Sequence, residues 1–253
     1  MSQVPAPYPD PAHDACNEAE DAIRQLQSFA DAVAHDLRAP LRSIQGFSRL
    51  LEDRVADQLD DTARDHLQRI RRAADRMDGL LVGLGELSRA TGHPLRREPV
   101  DLGLLCDWVL AELADAHPGR STEVAVEGLE GLQAEGDEHL LKLALTRLME
   151  NSWSFARQGE PVRIRVDGSV ADGQVHLRLA DRGIGFDRRY AHKMFQPFQR
   201  LHGPEQGAGH GLGLAVAHRV VVRHGGTLEA ESSDNGAVFH LRLPAAARRT
   251  EVS

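Results

Sequence analysis

Apolar and small residues recur in alternating steps of three and four along the first part of the chain: Cys16, Ala19, Ile23, Leu26, Ala30, Val33, Leu37, Pro40, Ile44, Phe47 and Leu51. This spacing holds one stripe on one side of an α-helix and predicts a long helix with a single seam. A second run, Ala63, Leu67, Ile70, Ala74, Met77, Leu81, Leu84 and Ser88, repeats the steps after the short polar link RVADQLDD. Two helices so joined form a hairpin. A lone hairpin leaves too much of its seam in water, so two copies are expected to pair as a homodimeric four-helix bundle. Pro40 lies inside the first helix, removes a backbone donor and predicts a bend near residues 36 to 40.

The pattern breaks at TGHPLRREP, and beyond it strand-like and helix-like segments alternate. PVRIRVDGSV, GQVHLRLADRG, GGTLEAES and GAVFHLRLP read as strands, and His139 to Ala156 has helical periodicity. The expected fold class is therefore α+β, a helical hairpin followed by an α/β sandwich with helices on one face of a mixed sheet. The expected division is a flexible tail over 1–13, the hairpin over 14–90, a linker over 91–97, the sandwich over 98–246 and a tail over 247–253. The prolines between Pro5 and Pro11 are the reason for the first tail.

Composition narrows the function. Thirty basic against thirty-eight acidic residues give a formal charge of -8, which argues against nucleic acid as a partner. Cys16 and Cys106 form no CxxC pair, and the thirteen histidines show no HExxH pairing, so neither a disulfide framework nor a zinc site is expected. No apolar run approaches the roughly eighteen residues that span a bilayer, and MSQVPAPYPDP is not a signal peptide. A cytoplasmic protein is expected.

Counted from Val33 and Leu37, His35 falls on the solvent side of the first helix. Ala32 and Ala39, two of its neighbours three and four residues away, are small and leave the imidazole open. The adjacent Asp36 can accept a proton from one ring nitrogen and make the other more nucleophilic. In the second domain, glycines concentrate in Asp181-Arg-Gly-Ile-Gly-Phe-Asp187 and in Gly207-Ala-Gly-His-Gly-Leu-Gly-Leu214. The second run leads into the apolar pattern LAVAHRVVVRHG, which puts its glycines at a helix start, where free amides attract phosphate. A tight turn explains the first run nearly as well, and a flexible loop the second.

In this order the segments resemble the histidine kinase family from about Gln25 to Pro244. His35-Asp-Leu-Arg-Ala-Pro-Leu41 is similar to its phosphoacceptor box, Leu148-Met-Glu-Asn151 to its magnesium-binding box and Asp181-Arg-Gly-Ile-Gly185 to its adenine box. Met194-Phe-Gln-Pro-Phe198 resembles the phenylalanine box, Gly209-His-Gly-Leu-Gly-Leu214 the lid glycines, and Gly236 to Pro244 the closing strand. The two helices look most like those of phytochrome-type and related cytoplasmic sensor kinases. The resemblance implies a sandwich of the gyrase, histidine kinase and MutL type that binds ATP and Mg²⁺. It implies autophosphorylation of His35, with Asp36 holding the proton on the other ring nitrogen. Transfer to an aspartate of a separate response regulator receiver domain would follow, with input from an upstream sensor or partner protein.

The resemblance also assigns nucleotide-site roles. Asp181 would accept a hydrogen bond from the adenine amino group, with Gly183 and Gly185 shaping the site. Asn151 would bind Mg²⁺ through its amide oxygen, and Glu150 would orient a metal-bound water. Gly209, Gly211, Leu212 and Gly213 would line the phosphates, while Phe195 and Phe198 would anchor the lid or simply pack. Because His35 and the nucleotide lie on different domains, the segment near 88 to 97 would have to bend. Three positions depart from the family pattern. Arg147 and Ser154 stand where Asn and Lys are common, which leaves Arg147 or Arg157 to replace the lysine. Ala39 occupies a place that phosphatase-competent kinases give to Thr or Asn. His210 sits among the lid glycines, where it is expected to face solvent. A non-catalytic ATP-binding scaffold and an ATPase of the gyrase and MutL type are the alternatives. The first two helices argue against the latter.

Overall fold

The computed structural model describes residues 11–201, 209–233 and 235–247; side chains before Gln25 are not among those described, so Cys16 and the head of the first seam lie outside. The expected tails fall largely outside as well. The chain divides into two compact units, with the boundary between Gly92 and His93.

The first unit is a helical hairpin, α1 (Pro11–Val55) and α2 (Asp61–Gly92). α1 begins three residues earlier than the expected edge of the hairpin, and Pro11 suits a first-turn position because the donor it lacks would have no partner there. α2 starts where Asp60 Oδ1 accepts the Ala63 N–H at 2.7 Å. α1 is helical through Pro40, which leaves the Asp36 carbonyl without its usual donor four residues on.

The seam is divided between two uses. Ala34, Leu41 and Ser48 are buried on α1, and Leu67, Ala74, Leu81 and Ser88 on α2; Ala34, Leu41, Ala74 and Leu81 form one cluster. Each set repeats every seven residues, the signature of one heptad position. The buried α1 positions are not the predicted ones. Leu37, Ile44, Phe47 and Leu51 of that seam, with Ile70 and Met77 of α2, are 42% to 67% exposed. Periodicity fixes the spacing of a stripe but not which neighbour covers it, and here the larger side chains face away from the partner helix.

The second unit is the sandwich. β2 (Thr122–Glu127), β4 (Val162–Ala171), β5 (Gln174–Asp181), β7 (Gly236–Pro244) and β6 (Thr227–Ser233) form a mixed sheet in that spatial order. Only the β2–β4 pair is parallel. A separate antiparallel ribbon pairs β1 (Glu98–Asp101) with β3 (Gln133–Gly136). Strict alternation on the strands sends Val162, Ile164, Val166, Leu177, Leu179, Phe239 and Leu241 inward. Against that face pack α4 (Glu138–Ser154) and α5 (Gly213–Arg223), and α3 (Leu102–Ala116) packs on α4. The other face is charged, with Arg163 paired to Glu123 at 2.7 Å and Arg178 to Asp167 at 2.9 Å. Cys106 lies in the α3 core, where burial pushes its thiol up to about 12 and leaves it unreactive.

One buried polar network fixes the helices that carry the site. His224, at the C-cap of α5, accepts the Asp137 N–H on Nε2 at 3.0 Å and donates from Nδ1 to the Val220 carbonyl at 2.7 Å. Asp137 caps α4 through Leu140 N–H and, with its other oxygen, accepts the Arg96 N–H at 3.1 Å. The Arg223 guanidinium reaches the His93 carbonyl at 2.5 Å. These bonds tie residues 93–97 to the second unit, so most of the expected 91–97 linker is part of the sandwich, and α2 takes its first two residues.

Candidate active site

His35 lies in the middle of α1, its side chain 82% exposed and that of Asp36 83%. His35 Nδ1 stands 3.2 Å from Asp36 Oδ1. A carboxylate can only accept, so this contact requires the proton on Nδ1 and leaves the Nε2 lone pair facing solvent. The result is an imidazole nitrogen with no steric cover, in the tautomer that this contact favours.

Asp181, the last residue of β5, is 8% exposed. Its Oδ1 accepts the N–H groups of Gly183 at 2.8 Å and Ala237 at 3.1 Å, and its Oδ2 accepts the Ser152 hydroxyl at 3.2 Å. Burial raises its pKa above the usual carboxylate value, against the opposing pull of those three donors. Oδ1 is filled, whereas Oδ2 retains a lone pair for an amino group of a planar ligand. Gly183 is buried and has no room for a side chain, since a Cβ there would stand 2.5 Å from the Phe155 carbonyl oxygen. Gly185, also buried, has φ 64°.

The end of α4 meets Asp181 through Ser152, and Asn151 is the residue before it on that helix. Asn151 is half-buried. Glu150 is ion-paired with Arg147 one turn earlier. Arg157 donates from Nε to the Gly183 carbonyl at 3.3 Å, on the adenine-box side.

α5 begins at Gly213, directly after the buried Leu212. The first intrahelical bond runs from Val216 N–H to the Leu212 carbonyl at 2.9 Å, so the amides of residues 213 to 215 have no helical acceptor and carry the positive end of the dipole. The phenylalanine segment holds the approach to this helix. Phe198 N–H donates to the Gly211 carbonyl at 2.8 Å, and the Phe195 ring stacks on His218 of α5 with centroids 5.1 Å apart. Gly211 has φ 75°, and a Cβ there would stand 2.7 Å from the Gln199 carbonyl oxygen, so only glycine fits. Phe198 is 61% exposed, so it does not pack as a core residue, and its φ is 63°. Gly209 is exposed, while His210 is half-buried rather than facing solvent. Gly207 lies outside the described residues.

The structure thus gathers Asp181, Gly183 and Gly185 with the end of α4, and Gly211, Leu212 and Gly213 with Phe195 and Phe198 at the start of α5. His35 and Asp36 belong to the other unit. Ser152 escaped the sequence reading, although a small polar residue next to Asn151 on an otherwise apolar helix face was a usable signal. Asp137 and His224 also escaped it, because nothing in their spacing joins residues so far apart.

Residues 25–92 match the His Kinase A (phospho-acceptor) domain, and residues 136–247 match the histidine kinase-, DNA gyrase B-, and HSP90-like ATPase domain. The sensor histidine kinase TrcS of Mycobacterium tuberculosis is 32% identical over 88% of this chain and 45% of its own length. The phytochrome-like protein Cph1 of Synechocystis is 26% identical over 89% of this chain and 30% of its own. The chain therefore spans less than half the length of either relative. Among solved structures, full-length ShkA in complex with AMPPNP superposes with a TM-score of 0.63 at 25% identity, covering 87% of this chain and 46% of that one. With both domains matched in the expected order, the chain belongs to the two-component histidine kinase family, as a core of phospho-acceptor hairpin followed by ATP-binding domain.

Proposed function

We propose that the chain is an autophosphorylating protein histidine kinase that transfers the γ-phosphoryl group of ATP to His35 and then to an aspartate of a response regulator receiver domain. The observation that carries this reading is the geometry at His35, where Asp36 holds Nδ1 and leaves Nε2 open. In the transfer, the Nε2 lone pair attacks the γ-phosphorus in line as the bond to the ADP oxygen breaks. The proton on Nδ1 is stabilised by Asp36 as positive charge develops on the ring. An exposed imidazole suits two successive partners, because both the nucleotide and a receiver domain must reach it.

The ATP site is Asp181 for the adenine amino group, with Gly183 and Gly185 against the ring and the amides around Gly211, Leu212 and Gly213 for the phosphates. Gly209 lies at the described edge of that lid, and Phe195 and Phe198 fasten it to α5 and to Gly211. Among the described residues no group of three or more His, Cys, Asp or Glu side chains converges as a metal site. That suits Mg²⁺, which takes one or two protein oxygens and completes its shell with water and substrate phosphate. Asn151 and Glu150 are the residues that would hold it. Bound there, Mg²⁺ would neutralise charge on the phosphates.

The exposed stripe of Leu37, Ile44, Phe47, Leu51, Ile70 and Met77 supports a homodimer, since a second copy would cover it and complete a four-helix bundle. Among the described residues no helix is long and apolar enough to cross a membrane, and a cytoplasmic place with input from an upstream sensor or partner protein accords with the reading. Incubation with γ-labelled ATP and Mg²⁺ tests it. The label is expected on the protein, lost in acid and kept in base, and passed to a receiver domain; unlabelled protein would contradict the reading.

A further inference from the structure

Ser154 leaves α4 without the lysine that the family often uses on the phosphates, and two arginines are near enough in sequence to replace it. The structure separates them. Arg157 is tied to the Gly183 carbonyl at the adenine end. Arg147 lies on α4 one turn before Asn151, on the same side of the helix, with its side chain 22% exposed. Its stem runs alongside the first residue of α5: a Cβ on Gly213 would stand 3.5 Å from Arg147 Cδ and 3.8 Å from its Cβ.

This placement is electrostatically odd for a protein at rest. A cationic side chain whose stem lies against a helix start stands near the positive end of that helix, which is unfavourable unless an anion lies near. Glu150 supplies an anion to Arg147 from the same helix, three residues on. A polyphosphate arriving at the α5 amides would satisfy the guanidinium more fully, because it offers several oxygens and more charge to a planar fork of donors. Resting on the reading of this cleft as an ATP site, we infer that Arg147 is the phosphate-binding cation of this kinase. Glu150 is its resting counter-ion, displaced when the triphosphate enters. Displacement leaves the Glu150 carboxylate beside Asn151 without its arginine at the moment a divalent cation arrives with the nucleotide.

Affinities of the full chain for ATP and for adenosine, measured by calorimetry in EDTA, separate the phosphate contribution from the adenine contribution. Arg147→Gln is expected to weaken ATP roughly tenfold or more while leaving adenosine unchanged. Arg147→Lys should keep part of the preference for ATP. Glu150→Gln should tighten ATP several-fold without Mg²⁺, and that gain should vanish in the Arg147→Gln/Glu150→Gln double variant. Wild-type ATP affinity in Arg147→Gln, or a gain from Glu150→Gln that survives in the double variant, would overturn the inference while leaving the ATP site standing. Should Arg147→Gln fail to fold, an absence of tightening in Glu150→Gln overturns it instead. A wild-type chain that binds ATP no better than adenosine would remove the phosphate site and the inference together.

Discussion

The two reactive regions of this chain treat their polar groups in opposite ways. His35 and Asp36 stand in water on the side of a helix, with one contact between them. Asp181 is closed into the end of a sheet, and each of its oxygens already has a donor. As the proposed phosphoryl acceptor, His35 has to meet the nucleotide and then a receiver domain, and its open side chain with a single contact to Asp36 accords with that. The nucleotide site must recognise one small molecule and exclude others, so its orientation is fixed before the ligand arrives. Changes at the first region should therefore affect chemistry without affecting the fold, and changes at the second should affect both.

The largest expected effect is also the sharpest test of that contrast. His35→Gln should abolish labelling by γ-labelled ATP while ATP affinity and thermal unfolding stay at wild-type values; a shift in either would show that His35 is not the independent site its exposure implies. Asp181→Asn comes next. Its carbonyl can still accept from Gly183 and Ala237, but its amide cannot accept the adenine amino group, so ATP binding should fall roughly tenfold to a hundredfold. Stability should move the other way. Because burial raises the folded pKa of Asp181, the native state holds a proton that the unfolded chain has lost as pH rises above 3.8. Stability falls across that window and stays lower above it, and Asn removes the loss. Chemical denaturation at neutral pH without nucleotide should show the variant no less stable than wild type.

Gly211→Ala should cost about 1–3 kcal/mol in the lid and its surroundings, because the side chain meets the Gln199 carbonyl in a left-handed conformation. Weaker ATP binding with little change in the hairpin's melting would confirm that the cost is local. Ser152→Ala removes one hydrogen bond to Asp181 and should cost about 0.5–1.5 kcal/mol. Loss of discrimination between ATP and GTP would show that the hydroxyl orients the carboxylate as well as stabilising it. The smallest effect is expected from acid. Burial holds His224 below its ordinary 6.5, with Arg97 and Arg223 adding to the shift and Val220 and Asp137 opposing it. The unfolded chain then takes up a proton first as pH falls below 6.5, and the second unit should lose stability from there downward. A stability profile flat between neutral pH and the carboxylate range would contradict the role of His224 as a neutral clasp.

Much of this was legible in the sequence, and the limits have physical causes. Heptad spacing gave both long helices, and strand alternation gave β4, β5, β6 and β7, because each pattern reflects a local period. Spacing did not tell which side of α1 faces α2: Leu37 and Leu41 are each apolar and one turn apart, yet only Leu41 is buried within the hairpin. Pro11 read as a helix breaker, although it occupies the first turn of α1, where it costs little. The site residues carried in by family resemblance, from His35 and Asn151 to the phenylalanines and glycines, lay inside recognisable runs. Ser152, His224 and the place of Arg147 depend on contacts between distant segments, which no local period encodes.

The central claim is that this chain moves phosphate from a nucleotide held near Asp181 onto the open nitrogen of His35. Peptide mass spectrometry under alkaline conditions, after incubation of the full chain with ATP and Mg²⁺, tests it most directly. A single added phosphate on the His35 peptide, absent in Asp181→Ala, is the predicted result. Phosphate on any other residue, or none on His35 when ATP is bound and turned over, would contradict it.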